Sequence, residues 1–129
     1  MFIKICGITT LDAAKTVESA GADWIGFVFA PSKRKISPEH AKQISKALSP
    51  KIKKVGVFVN ESIEKIISIA NEVGLDYIQL HGDEDETFAK QIPFPIIKAF
   101  SIEHTDIQTI ERYPANYILL DSPGKKYRG

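Results

Sequence analysis

The chain has 129 residues, of which 43% are hydrophobic and 26% are charged, and its formal net charge is +1. These values predict one globular domain with a real core, and they give no indication of binding to nucleic acid or to a membrane surface. A lone cysteine excludes an internal disulfide, and no apolar run approaches the length of a membrane span or forms a signal core. We therefore expect a cytoplasmic protein.

In chain order, six short apolar runs alternate with five longer stretches that have apolar residues at helical spacing. The predicted strands are 2–6, 24–29, 55–59, 77–80, 96–100 and 117–120. The predicted helices are 11–20, 38–48, 63–73, 84–92 and 105–113, with Ser37 before Pro38 as a start signal and Gly21 and Gly74 as stop signals. Almost wholly apolar strands such as WIGFVF are typical of a parallel sheet that is covered on both faces.

A weak internal repeat supports this αβ alternation. The segment 21–25 (GADWI) recurs as 74–78 (GLDYI), with a fainter echo at 115–118 (ANYI). The strand spacing suits either a (β/α)8 barrel or a doubly wound sheet, but CGITTL after the first strand lacks the glycine pattern of a dinucleotide-binding sheet. A nucleotide-binding phosphate loop is absent as well. The pattern favours a barrel, whose active-site face lies at the carboxyl ends of the strands.

Polar side chains with different chemistry stand at those carboxyl ends. Because side chains alternate along a strand, Lys4 and Cys6 share one face, Gln79 and His81 share another, and Asp121 ends the sixth run on the same face as Leu119. A thiol, an imidazole and a carboxylate converge if these faces line the barrel mouth. Lys4 is also placed to lower the pKa of the Cys6 thiol.

Each of these residues also has a purely structural interpretation. Cys6 is a small residue that packs well at the end of an apolar strand, and Lys4 suits an ion pair. His81 suits a loop-orienting role, and Asp121 before Ser-Pro suits a turn. The basic loop 32–35 is either a solvated surface or a holder of a carboxylate or phosphate. The acidic run 83–86 is better interpreted as the first turn of a helix than as a metal site, and we expect no metal.

Five segments, taken together, resemble a known family. KICGIT, GADWIGFVF followed by SKRKIS, VGVFVN, YIQLHGDE and ILLDS are similar, in order and spacing, to the phosphoribosylanthranilate isomerases of tryptophan biosynthesis, and the resemblance spans the whole chain. It implies a (β/α)8 TIM barrel that acts as an aldose-ketose isomerase. The implied reaction is an Amadori rearrangement of a small phosphoribosyl substrate, N-(5-phosphoribosyl)anthranilate, and it needs no cofactor.

The resemblance also implies a role for each site residue. Cys6 matches the family's general base, Asp121 its general acid, Arg34 the residue that holds the anthranilate carboxylate, and His81 the active-site histidine. The remaining expected site residues are Gln79 for substrate binding and Lys4 and Gly7 in support.

The chain departs from the family pattern at Gly129, where the family continues with a glycine-rich loop and two more βα units. We therefore expect residues 1–129 to form one incomplete barrel domain, the N-terminal two-thirds, without the phosphate-binding loops after strands seven and eight. Such a fragment is expected to have little activity by itself. Its open edges imply either that it is a piece of a longer enzyme, or that it associates with itself or with a partner.

Two rival functions remain open from the sequence. The related sugar isomerase of histidine biosynthesis shares the fold and the reaction type, but that family has an aspartate at the position of Cys6. A non-catalytic αβ module that merely keeps family residues is the alternative from a different class of protein.

Overall fold

A computed structural model describes residues 1–121 and shows an α/β fold with one parallel sheet. The strands are β1 (Lys4–Cys6), β2 (Trp24–Val28), β3 (Lys53–Phe58), β4 (Tyr77–Leu80), β5 (Ile96–Ser101) and β6 (Tyr117–Asp121). The helices are α1 (Leu11–Ser19), α2 (Pro38–Ala47), α3 (Ile63–Val73), α4 (Glu86–Lys90) and α5 (Ile107–Arg112). No helix within residues 1–121 is both long and apolar enough to cross a membrane.

The strands lie in the sheet in the same order as in the chain, β1 to β6, and every neighbouring pair is parallel. In a doubly wound sheet the order of the strands reverses at a switch point, whereas the strand order of this sheet does not reverse. The predicted alternation of strands and helices is confirmed, and the arrangement is an α/β half-barrel that resembles a TIM barrel.

Each helix begins where the sequence supplies a side chain that accepts a hydrogen bond from the exposed backbone N–H groups of its first turn. The capping residues are Thr10, Ser37, Ser62, Asp85 and Asp106. Pro38 occupies the first turn of α2, and Gly74 ends α3 in the left-handed region at φ 81°, as the sequence predicts.

Helix α4 is shorter than predicted. The expected range was 84–92, but the helix spans only Glu86–Lys90 with Asp85 as its N-cap. Glu84 lies before the helix and is buried against Lys98 of β5. The interpretation of run 83–86 as an acidic first turn is therefore wrong for Asp83 and Glu84, which precede the N-cap Asp85, and right for Glu86.

The two faces of the sheet have different cores. The larger core lies between the sheet and the helices and contains Ile25, Phe27, Phe58, Ile78 and Leu80 together with helix residues. The opposite, inner face carries two small clusters, one around Trp24, Val55 and Ile97 and one around Val28, Ala30 and Val57. Because residues alternate between these faces, Cys6, Gln79 and His81 belong to the inner face.

The internal repeat has a structural cause at the amino ends of the strands. Before β2, β4 and β6, an Asp or Asn side chain accepts a hydrogen bond from a backbone N–H at the start of the preceding strand. The three bonds run from Ile3 N to Asp23 Oδ2 (2.8 Å), from Lys54 N to Asp76 Oδ2 (2.9 Å) and from Ile96 N to Asn116 Oδ1 (3.0 Å). Each bond ties an even-numbered strand to its odd-numbered neighbour. We name these three bonds the amino-end clamps.

Candidate active site

Cys6 ends β1 on the inner face of the sheet. The residue is half-buried and packs against the cluster of Val28, Ala30 and Val57. Its neighbour across the ladder is Gly26, where an added Cβ would lie 2.9 Å from the Cys6 Sγ. The glycine in the middle of β2 therefore leaves room for the thiol, which is a common reason for glycine inside a strand.

Lys4 lies on the same face, two residues before the thiol, but its ammonium donates a hydrogen bond to Oε1 of Gln79 in β4. Burial lowers the pKa of Lys4, and the nearby Cys6 opposes this shift to a smaller extent. Lys4 and Cys6 are thus close enough to interact electrostatically. Within the part of the chain that the structure describes, the hydrogen-bond partner of the Lys4 ammonium is the Gln79 amide.

His81 follows β4 and continues the same chain of polar contacts. The Gln79 Nε2 lies 2.9 Å from the His81 Nδ1, and Gln79 is only 2% exposed. The structure thus brings together three of the predicted site residues, Lys4, Gln79 and His81, although the first two are 75 positions apart in the chain.

Arg34 reaches the end of β1 from the loop that follows β2. The loop turns back on itself, since Arg34 N–H donates to Ser32 Oγ at 3.0 Å and Lys35 forms a bridge with Val28. Gly7 adopts φ 84°, and an added Cβ there would come within 2.5 Å of the Arg34 Cδ. Arg34 therefore lies against Gly7, the residue that follows Cys6.

A buried ion pair on the other side of the sheet holds the loop that carries His81. Glu84 Oε1 lies 3.0 Å from Lys98 Nζ, and the two side chains are 1% and 3% exposed. Glu84 also accepts hydrogen bonds from the backbone N–H groups of Asn60 and Gly82, at 2.8 and 2.9 Å. We name this set of contacts the carboxyl-end clamp.

Asn60 and Gly82 fit together closely within this clamp. Asn60 has a left-handed backbone, φ 51°, and its Oδ1 accepts from Asp83 N–H at 2.8 Å. A Cβ at Gly82 would come within 2.6 Å of that oxygen, so only glycine fits there. Sequence reasoning missed the clamp. Lys98, a charged residue inside the apolar run IIKAFS, was the signal that a buried partner was needed.

A polar cleft of about 470 Å³ opens beside the clamp, between the loops that follow β4 and β5. It is bordered by His81, Lys98, Ser101, His104 and Thr109.

On the helix side of the sheet, the Tyr113 hydroxyl donates a hydrogen bond to the backbone carbonyl of Glu84 at 2.9 Å. Burial raises the pKa of the Tyr113 phenol.

Asp121 ends β6, where its backbone pairs with Ser101 of β5. Its side chain, on which the predicted role as general acid depends, is not described by the structure, and neither are residues 122–129. Within residues 1–121, no three His, Cys, Asp or Glu side chains are grouped as the ligands of a metal ion would be.

A protein-family model described as N-(5'-phosphoribosyl)anthranilate (PRA) isomerase matches residues 3–127. The chain belongs to this family. The N-(5'-phosphoribosyl)anthranilate isomerase of Oceanobacillus iheyensis is 53% identical over 123 residues, which cover 95% of this chain and 60% of that protein. The chain thus spans about three-fifths of the length of this relative.

Solved structures agree with the family assignment. The phosphoribosyl anthranilate isomerase of Thermus thermophilus superposes with a TM-score of 0.89 at 42% identity, covering 97% of this chain and 65% of that one. A phosphoribosyl anthranilate isomerase in complex with reduced 1-(o-carboxyphenylamino)-1-deoxyribulose 5-phosphate superposes with a TM-score of 0.85 at 44% identity, covering 95% of this chain and 65% of that one.

Proposed function

We propose that this protein catalyses the isomerisation of N-(5-phosphoribosyl)anthranilate to 1-(2-carboxyphenylamino)-1-deoxyribulose 5-phosphate. One observation carries the proposal: in a chain of the PRA isomerase family, the Cys6 thiol stands at the mouth of the inner face with Arg34 packed against the adjoining Gly7. A thiol base with a guanidinium nearby suits an aldose-ketose isomerisation of a substrate that bears a carboxylate.

The reaction needs an acid and a base at different atoms of the substrate. In the first step, Asp121 gives its proton to the ribose ring oxygen while the anilino nitrogen lone pair forms the Schiff base and the ring C–O bond breaks. In the second step, Cys6 takes the proton from the second sugar carbon, and the resulting enolamine relaxes to the ketose. Cys6 acts as a thiolate in this step, since the thiolate is the form of cysteine that accepts a proton.

The other site residues bind and orient the substrate in this proposal. The planar fork of Arg34 holds the anthranilate carboxylate with two parallel hydrogen bonds. Gln79 and His81 lie on the same inner face, where His81 contacts the sugar and Gln79 contributes to substrate binding through its contact with the His81 ring. Gly7 supports the site by leaving space for the Arg34 side chain.

We further propose that the described strands correspond to the first six of an eight-unit (β/α) barrel. The strand order β1 to β6 and the coverage of 60% to 65% of the relatives' lengths support this reading. Within residues 1–121, β1 and β6 each pair with a single neighbouring strand, and Tyr117, Ile118 and Leu120 of β6 are exposed. The alternative is that copies of the chain associate along these edges. Light scattering distinguishes the two, because it measures the mass of the particle in solution.

The test is to follow anthranilate fluorescence while the full-length protein acts on N-(5-phosphoribosyl)anthranilate. We expect the fluorescence to fall at a rate proportional to protein concentration. Conversion of the histidine-pathway aldose without loss of this fluorescence would support the related sugar isomerase instead. If neither substrate is converted, the protein is a non-catalytic module and the proposal fails.

A further inference from the structure

The hydrogen-bond chain from Lys4 through Gln79 to His81 has only one consistent arrangement of protons. A lysine ammonium has three N–H donors and no acceptor, so the Gln79 atom that faces Lys4 must be the carbonyl oxygen. The amide NH₂ then faces the His81 Nδ1 at 2.9 Å. An NH₂ group only donates, and Nδ1 must therefore be the unprotonated, accepting nitrogen of the ring.

The surroundings keep this arrangement in place. Gln79 is 2% exposed and lies in the middle of the sheet, between Val57 of β3 and Ile97 of β5. This buried amide does not flip freely, because an inverted amide would set its NH₂ against the Lys4 ammonium, two groups that both only donate. Lys4 thus fixes Gln79, and Gln79 fixes the ring.

We propose that Lys4 and Gln79 are positioning residues that hold His81 as a neutral imidazole with its proton on Nε2. His81 then binds the substrate as a hydrogen-bond donor through Nε2, and Nδ1 is already engaged and cannot act as the base. The catalytic consequence rests on the proposed isomerase function: proton abstraction is left to Cys6. The ring tautomer follows from the Lys4–Gln79 and Gln79–His81 contacts and does not require that function.

The tautomer can be measured directly by long-range ¹H–¹⁵N NMR correlation of the histidine rings in the ¹⁵N-labelled full chain at neutral pH. The chain has three histidines, and loss of one set of signals in His81→Asn identifies the relevant ring. We expect the pattern of the neutral Nε2–H tautomer for His81. A neutral Nδ1–H pattern, or a doubly protonated ring, would overturn the proposal without any variant of Lys4 or Gln79.

Gln79→Glu tests the mechanism with nearly the same shape. A carboxylate cannot donate to Nδ1, so the ring must itself donate there, and we expect the His81 signals to change to the Nδ1–H or the doubly protonated pattern. The matched control is Gln43→Glu, at an exposed position of α2, which should leave the His81 pattern unchanged. An unchanged His81 pattern in folded Gln79→Glu would contradict the proposal.

Kinetics separate this proposal from the proposed function. With His81 no longer fixed as an Nε2 donor, kcat/KM of Gln79→Glu should fall about tenfold, the effect of about one lost hydrogen bond to the substrate. If the native protein has no isomerase activity but shows the Nε2–H pattern, the proposed function fails and the positioning device stands. If the native protein has normal isomerase activity but shows the Nδ1–H pattern, the proposed function stands and the positioning role of Lys4 and Gln79 fails.

Discussion

The two ends of the sheet are built in different ways. At the amino ends, the same device occurs three times, an Asp or Asn oxygen that accepts from the backbone of the preceding strand. At the carboxyl ends, the side chains differ in chemistry. The thiol of Cys6 ends β1, the amide of Asn60 lies in a left-handed turn after β3, and the imidazole of His81 follows β4. A repeated contact suits a role in stability, whereas varied side chains suit binding and chemistry.

The comparison indicates that the position of a residue, at the amino end or the carboxyl end of a strand, determines whether its substitution lowers stability or turnover. Substitution at an amino-end clamp should lower the free energy of unfolding and leave turnover of folded protein intact. Substitution of a site residue at the carboxyl ends should lower turnover and leave stability nearly intact. The carboxyl-end clamp around Glu84 and Lys98 lies between these cases, since it stabilises the fold and holds the loop of His81.

The largest effect is expected for Cys6→Ala. Removal of the proposed base should lower kcat by about 10⁴-fold, the upper part of the range for general base catalysis, while the half-buried site tolerates the smaller side chain. Steady-state kinetics with N-(5-phosphoribosyl)anthranilate checks the rate, and urea denaturation serves as the control for folding. A loss of less than tenfold would remove Cys6 from the chemistry.

The next effect is expected for Lys98→Met, which leaves Glu84 buried without its cation. The free energy of unfolding should fall by about 3–5 kcal/mol, and kcat should fall too because the loop of His81 loses its support. The double variant Lys98→Met/Glu84→Gln should regain part of the stability.

Lys65→Met is the matched control for that measurement, because it breaks the exposed pair with Glu61, whose N–O distance is 3.5 Å. Its cost should stay below about 1 kcal/mol. Equal losses from Lys98→Met and Lys65→Met in urea denaturation would mean that the buried pair has no special part in the fold.

A smaller effect is expected for Asp76→Ala at an amino-end clamp. The Lys54 N–H loses its acceptor, and the free energy of unfolding should fall by about 1–3 kcal/mol, with kcat unchanged where the protein is folded. Asp76→Asn is the control, because Asn116 forms the equivalent bond in the third clamp. If Asn and Ala at this position destabilise the protein equally, the hydrogen bond is not the stabilising feature.

The smallest effect is expected for Ser62→Ala at the start of α3. The Lys65 N–H loses the Ser62 hydroxyl as its acceptor, and the loss should be about 1 kcal/mol, as for other helix N-caps. Ser62→Asn keeps an accepting oxygen and should retain most of the stability in the same urea experiment. No change in kcat is expected from either variant, although Ser62 stands near the carboxyl end of β3.

Much of this fold could be predicted because its signals are local in the sequence. Period, capping residues and the GAD and GLD repeats give the number and type of the elements, and every predicted bound agrees with the structure within two residues. The pairing of Glu84 with Lys98 could not be predicted in this way, since it depends on how the segment before α4 packs against β5 in three dimensions.

The candidate site was predictable to a similar degree. Alternation along the strands placed Lys4 and Cys6, and likewise Gln79 and His81, on common faces, and the inner face carries all of them. The choice of Gln79 as the partner of Lys4 could not be predicted, because it requires the width and register of a curved sheet. The role of Gly26 as space for the thiol has the same origin.

The most direct test of this account is kcat for N-(5-phosphoribosyl)anthranilate turnover by the full-length protein, measured for Cys6→Ala and Asp76→Ala under conditions in which both variants are folded. The account predicts a loss of about 10⁴-fold for Cys6→Ala and a value within about twofold of the native protein for Asp76→Ala. Comparable losses in the two variants, or a Cys6→Ala protein that turns over normally, would contradict the division of roles between the two ends of the sheet.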